Sequence, residues 1–254
     1  MLRPQRETRS TSKRRRPTSA PVPARNVLCR HPSWVSRRRC DDCHAPQSWA
    51  TLPAAVVFVD MVGFAALSER MAPDAVIAFV RDLLRLLSDS VFTHQGIVDK
   101  FTGDGLLAVF GPPIPSTSDA SNAAHCALDM LQSFSCCNAQ NKGSDDAAIQ
   151  VAIGINYGEV LQGDVGSDNR LELTVLGDAV NVASRVEAYC RRLEAALLVT
   201  GAFVDALRAE GSENLMRGFV DEGRHLLRGY AEPIQLYGIR RSTLTKRNNG
   251  SADL

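Results

Sequence analysis

The chain has 254 residues, 44% of them hydrophobic and 22% charged, ordinary values for a globular protein with one sizeable core. Its net charge of +1 conceals two unlike parts: residues 1–50 carry twelve Lys/Arg against three acids, while the other 204 carry seventeen against twenty-five. No run of eighteen apolar residues exists, which argues against a transmembrane helix; the N-terminus lacks the apolar stretch of a secretory signal; and the acidic body argues against a nucleic-acid partner.

Residues 1–48 are rich in Arg, Ser, Pro and Thr without sustained periodicity, and they read as a disordered tail. Three functional readings compete with that one. The Arg-rich, acid-poor composition fits an organellar targeting segment; "KRRRP" and "SRRRC" suit nucleic acid or anionic lipid; and Cys29, His31, Cys40, Cys43 and His44 include one C-x-x-C pair of the kind that gathers zinc. A tail of no fixed role, such as an over-long start would leave, is favoured over all three. Of the seven cysteines, Cys126, Cys136, Cys137 and Cys190 fall within helical patterns, as reduced thiols of a cytoplasmic protein would.

Order begins near residue 52. "PAAVVFVDM" is a short β-branched apolar run, a buried strand ending near Asp60. Over 73–93, Val76, Ile77, Val80, Leu83, Leu84, Leu87 and Val91 recur at three- and four-residue intervals, predicting an amphipathic helix with Pro73 in its first turn. "GIVDKFTGDGLLAVFG" gives two strands around a Gly-Asp-Gly turn, and a second helix is expected over about 118–138 with Ala123, Ala127, Leu128 and Leu131 inward. "AIQVAIGINYGEVLQGDVG" reads as strand, turn and return strand. "LELTVLGDAVNVASRVEAY" changes from strand to helix near Asp178, a candidate cap. "ALLVT" is a further strand, "GAFVDALRAE" a short helix, and strands are expected near 217–228 and 234–239, with a polar C-terminal tail over 241–254. Alternating strands and helices with hairpins among them predict an α+β fold, a mostly antiparallel sheet with helices packed on it.

Asp60 at the end of the first strand and Asp104 at the hairpin tip can meet at one end of such a sheet. Two carboxylates there would repel unless cations sat between them, and Mg²⁺, which prefers oxygen ligands and substrate phosphates, answers that need. Hairpin tips also hold Asp-Gly for conformational reasons alone. No G-x-x-x-x-G-K-[ST] is present, which argues against a P-loop ATPase.

"FVDMVGFAALSER", "DKFTGDGLLAVFG" and "LTVLGDAVNVASRVEAY" together resemble the catalytic core of the class III nucleotidyl cyclases, the adenylyl and guanylyl cyclases, over residues 52–240. The resemblance implies a ferredoxin-like βαββαβ arrangement and an adenylate cyclase that converts ATP to 3′,5′-cyclic AMP and pyrophosphate. It gives Asp60, Asp104 and the Met61 carbonyl to two Mg²⁺ ions per site, with Mn²⁺ able to substitute. It gives Lys100 and Thr174 to the purine, Asn181 to the ribose and Arg185 to the charge growing on the α-phosphate. Arg228 is the nearest cation to a position where the family normally has a Lys on the terminal phosphates. An acid at position 100 would suit guanine; Lys suits the N1 acceptor of adenine. Thr at position 174 belongs to one branch of the family, which includes bicarbonate-responsive enzymes, so bicarbonate is a candidate activator. The resemblance further implies a homodimer with two shared sites, each combining the metal aspartates of one subunit with the nucleotide-reading residues of the other. A guanylate cyclase and a catalytically degenerate nucleotide-binding regulator are the alternatives.

Overall fold

A computed structural model describes residues 49–140, 149–167 and 170–244. The N-terminal segment, with its zinc, targeting and basic-patch readings, lies outside the described residues, as do the last ten. The strands and helices run β1 (Ala50–Val62), α1 (Phe64–Ser68), α2 (Pro73–Thr93), β2 (Ile97–Phe101), β3 (Leu106–Phe110), α3 (Asp119–Gln140), β4 (Gln150–Ser167), β5 (Arg170–Leu176), α4 (Asp178–Tyr189), β6 (Ala195–Thr200), α5 (Gly201–Ala209), β7 (Val220–His225) and β8 (Ile234–Arg240). The sheet order is β2-β3-β1-β4-β6-β8-β7, with β5 paired to β4 off this path. All pairs are antiparallel except β4 with β6. Its first half, β1-α2-β2-β3-α3-β4, is the expected βαββαβ unit with strand order β2-β3-β1-β4.

The two-residue period of β1 sorts its side chains. Ala55, Val57, Val59 and Met61 enter a core shared with Leu83, Leu87 and Val91 of α2, Ala123 and Ala127 of α3, and Phe203 of α5. Ala54 and Val56 face the other way, onto Ala179 and Ala183 of α4. Asp60, two pleats beyond Val56, therefore belongs to the α4 side. Within α2, Ala72 is the residue before the first turn and Pro73 starts the helix, where its missing N–H costs nothing. The buried stripe is narrower than the apolar one, and Ile77 is 58% exposed.

One expectation is overturned. "AIQVAIGINYGEVLQGDVG" is not strand, turn and return strand: β4 runs unbroken for 18 residues, and the returning strand is β5. Gly154 and Gly158 are there because α4 lies directly on the strand. A Cβ at Gly154 would fall 2.2 Å from the Glu187 amide nitrogen, and one at Gly158 would fall 3.1 Å from the Ala179 Cβ. The four residue steps from Gly154 to Gly158 span about 13 Å of strand and the eight steps from 179 to 187 about 12 Å of helix, so the two glycines form a bed of matching length. Asn156 between them is buried; its amide donates to the Ala179 carbonyl at 3.1 Å and accepts from the Thr200 hydroxyl at 2.8 Å. Asn-x-Gly has turn chemistry, but here both residues serve helix-on-sheet packing. Past β8 the chain continues as a helical turn over 241–244, with Leu244 against the core.

Candidate active site

The β2–β3 hairpin carries Asp104 to Asp60 by backbone contact. Val59 pairs with Leu106, so Gly105 lies beside Asp60; a Cβ on Gly105 would fall 2.0 Å from the Val59 carbonyl oxygen and 3.0 Å from the Asp60 Cα. Only glycine permits that approach. Gly103, on the other side of Asp104, has φ +93° and open space around it, so it serves the turn rather than packing. Burial, and then the charge of Asp104, raise the Asp60 carboxyl above its ordinary range, while Arg191 and the Met61 N–H pull it back. Arg191 Nη2 stands 3.5 Å from Asp60 Oδ2. The Met61 side chain is buried in the core, which leaves its backbone carbonyl as its possible metal ligand.

The two acids fit a divalent-cation site: they are adjacent, half-open, and Asp60 is held at a cost that a cation would relieve. Among the described residues no group of three or more His, Cys, Asp or Glu side chains is placed to hold a metal, so remaining ligands would come from backbone, substrate or water.

A residue the sequence reading missed stands beside them. Glu187 of α4 is raised to about 7, first by burial and then by the charge of Asp60, with Arg191 lowering it and Asp104 raising it. No motif spacing marks it; the signal is Gly154, whose missing side chain brings the Glu187 backbone onto the sheet.

The nucleotide-reading candidates form two groups. Lys100 and Thr174 meet across β2 and β5 through Asp99: the Thr174 hydroxyl donates to Asp99 Oδ2 at 2.7 Å, the Val175 N–H to Oδ1 at 3.1 Å, and Lys100 Nζ lies 3.4 Å from Oδ2. Asn181 and Arg185 lie one turn apart on α4. Arg185 sits over the Tyr230 ring, 4.7 Å from its centroid, and the Tyr230 hydroxyl donates to Asp178 at 2.6 Å. Asp178 is thus the first residue of α4 rather than its cap; Gly177 precedes the helix, with no side-chain cap bond. Gly229 packs against the Arg185 guanidinium, which leaves the exposed Arg228 in the same loop. Glu187 lies about 200° further round α4 than Arg185, so one helix shows Glu187 to its own Asp60 and Arg185 elsewhere.

Residues 48–239 match the family model of the adenylate and guanylate cyclase catalytic domain. The chain belongs to this family. This cyclase domain is 32% identical over 184 residues to the adenylate cyclase, terminal-differentiation specific, of Dictyostelium discoideum, covering 72% of this chain and 8% of that protein. It is 31% identical over 195 residues to an adenylate cyclase of Anabaena cylindrica, covering 73% and 36%. The chain therefore spans a minor part of the length of these relatives. Among solved structures, the adenylyl cyclase CyaB from P. aeruginosa aligns at TM-score 0.66 and 25% identity over 76% of this chain and 95% of that one. The guanylyl cyclase Cya2 aligns at 0.63 and 27%, over 75% and 92%. The shared fold is the α+β cyclase fold. No helix among the described residues is long and apolar enough to cross a membrane, and Cys126, Cys136 and Cys190 are free thiols.

Proposed function

We infer that this domain is an adenylate cyclase of the Thr-bearing branch, converting ATP into 3′,5′-cyclic AMP and pyrophosphate at two sites shared across a homodimer. The observation that carries the reading is the juxtaposition of Asp60 and Asp104, enforced by Gly105, in a chain that also keeps Lys100, Asn181 and Arg185. The ribose 3′-oxygen loses its proton and forms a bond to the α-phosphorus, the bond from that phosphorus to the pyrophosphate oxygen breaks, and pyrophosphate leaves. Asp60, Asp104 and the Met61 carbonyl would hold Mg²⁺ or Mn²⁺, two ions per site, which when bound supplies acidity to the 3′-hydroxyl and screens the triphosphate. Arg185 stabilises the charge that builds on the α-phosphate, a task its planar guanidinium suits. Asn181 orients the ribose, Lys100 donates to adenine N1, Thr174 accepts from the adenine amino group, and Arg228 contacts the terminal phosphates.

Sharing across two chains is supported by the opposed faces of α4 and by apolar side chains that one chain leaves bare. Phe101 is exposed on β2, as are Leu161, Val165, Leu173 and Leu176 on the β4–β5 ribbon. Two-fold pairing would give each metal pair an Asn181–Arg185 partner twice over.

Purified protein assayed with ATP and GTP side by side, with Mg²⁺ and with Mn²⁺, tests the reading. Cyclic AMP with stoichiometric pyrophosphate is expected; cyclic GMP as main product selects the guanylate alternative, and nucleotide binding without pyrophosphate release selects the regulator. Adding bicarbonate to the same assay tests it as an activator.

A further inference from the structure

The Thr174 hydroxyl is a poor reader on its own, because a hydroxyl both donates and accepts and so tolerates either purine. Adenine presents an acceptor at N1 and a donor at N6; guanine presents a donor at N1 and an acceptor at O6. Lys100 does not separate the two cleanly, since an ammonium rejected by the guanine N1–H can still donate to O6. Discrimination needs a second group that accepts only.

The structure supplies the means one residue before Lys100. The ladder between β2 and β3 shifts register between Val98 and Lys100, which makes Asp99 the extra residue of a β-bulge, a feature that re-aims a side chain. Its carboxylate leaves the sheet ladder and reaches β5, accepting from the Thr174 hydroxyl and the Val175 N–H. The Asp99 side chain is only 5% exposed, and Lys100 at 3.4 Å balances its charge. An ionised carboxylate accepts and never donates. The Thr174 proton is therefore committed to Asp99, and only the lone pairs of that hydroxyl remain for a ligand.

We propose that Asp99 is a specificity-positioning residue: it fixes the polarity of Thr174 as an acceptor, so that Thr174 with Lys100 forms an acceptor–donor pair complementary to adenine and opposed to guanine. This rests on the reading of Lys100 and Thr174 as the purine-facing residues.

Asp99→Asn is the decisive variant. It is isosteric, and its amide oxygen keeps the Val175 N–H bond while its NH₂ donates to Thr174. That turns the hydroxyl proton free to meet guanine O6. The ratio of kcat/KM for ATP over GTP is expected to fall by roughly tenfold or more, with the GTP rate rising in absolute terms, while the melting temperature stays close to that of the wild type. A second variant, Asp99→Ala with Thr174→Asp, returns a carboxylate to the base and is expected to recover ATP preference. A role confined to anchoring β5 on β2 would lower both rates together and leave the ratio unmoved; that result, in a folded protein, overturns the proposal. Binding of ATP and GTP measured by fluorescent-nucleotide displacement reads the same ratio without turnover. A shift in that ratio with no product formed would sustain the role of Asp99 while removing the cyclase reading, and binding of neither nucleotide by the wild type would remove both.

Discussion

Arg185 lies over the Tyr230 ring, its guanidinium carbon 4.7 Å from the centroid, and Tyr230 is in turn tied to Asp178 on the same helix as Arg185. A long flexible cation is thereby held in one place before any substrate arrives. A pre-placed charge loses less conformational freedom when it is used.

Removing that cation or its support separates chemistry from folding. Arg185→Ala is expected to lower kcat about 10²- to 10³-fold. Tyr230→Ala, which leaves Arg185 present but unsupported, is expected to cost about tenfold, and Tyr230→Phe less, since the ring remains. Initial rates of cyclic AMP formation with melting temperatures alongside check this; equal losses for Phe and Ala at position 230 would shift the weight to the Asp178 hydrogen bond.

The shared-site arrangement has a complementation signature. Asp60→Ala and Asn181→Ala chains are each expected to be inactive. Random mixing puts half of the dimers in the mixed form, each with one intact site of two, so about a quarter of wild-type activity should return. No recovery after verified subunit exchange rules out sites divided in this way.

Gly105 and Gly103 flank the same aspartate but for different reasons, and alanine distinguishes them. Gly105→Ala drives a methyl into the Val59 carbonyl and is expected to cost about 3 kcal/mol or more, with loss of activity. Gly103→Ala meets open space and suffers only its positive φ, about 1 kcal/mol. Chemical denaturation of both variants gives the comparison directly.

Glu187 gives the metal-free protein a pH dependence. Its carboxyl titrates near 7 when folded against an ordinary 4.5, so the native state holds more protons than the unfolded chain between those values. Stability should therefore fall as pH rises through that window, and the penalty is complete above about 7. Asp60, raised likewise, adds in the same direction. Glu187→Gln is expected to stabilise the protein at pH 8 by about 1–2 kcal/mol, a value reduced for partial exposure, and to change little at pH 4.5. Melting temperatures across pH 4.5–8 in EDTA measure it.

Much of this was legible from residue types and spacing. The seven apolar positions of α2 and Pro73 placed that helix at 73–93, the bounds it has, because helical periodicity is a local property. The Asp-Gly hairpin was equally plain, since the β2–β3 turn is short. The turn expected within "AIQVAIGINYGEVLQGDVG" does not form, because Gly154 and Gly158, of a residue type that often makes turns, make a bed for a helix; that distinction depends on α4, which arrives more than twenty residues later.

Local chemistry along the chain therefore determined most of the strands and helices, and it marked Asp60 and Asp104 but not Glu187. Tertiary structure alone decided that Asp99 would accept a hydrogen bond from Thr174, 75 residues away, that Tyr230 would lie under Arg185, and that Glu187 would press on Asp60. Those relationships come from a bulge that turns one side chain out of its ladder and from a helix laid on two glycines. Neither effect has a sequence period, because each depends on which backbone surfaces can come close enough to touch.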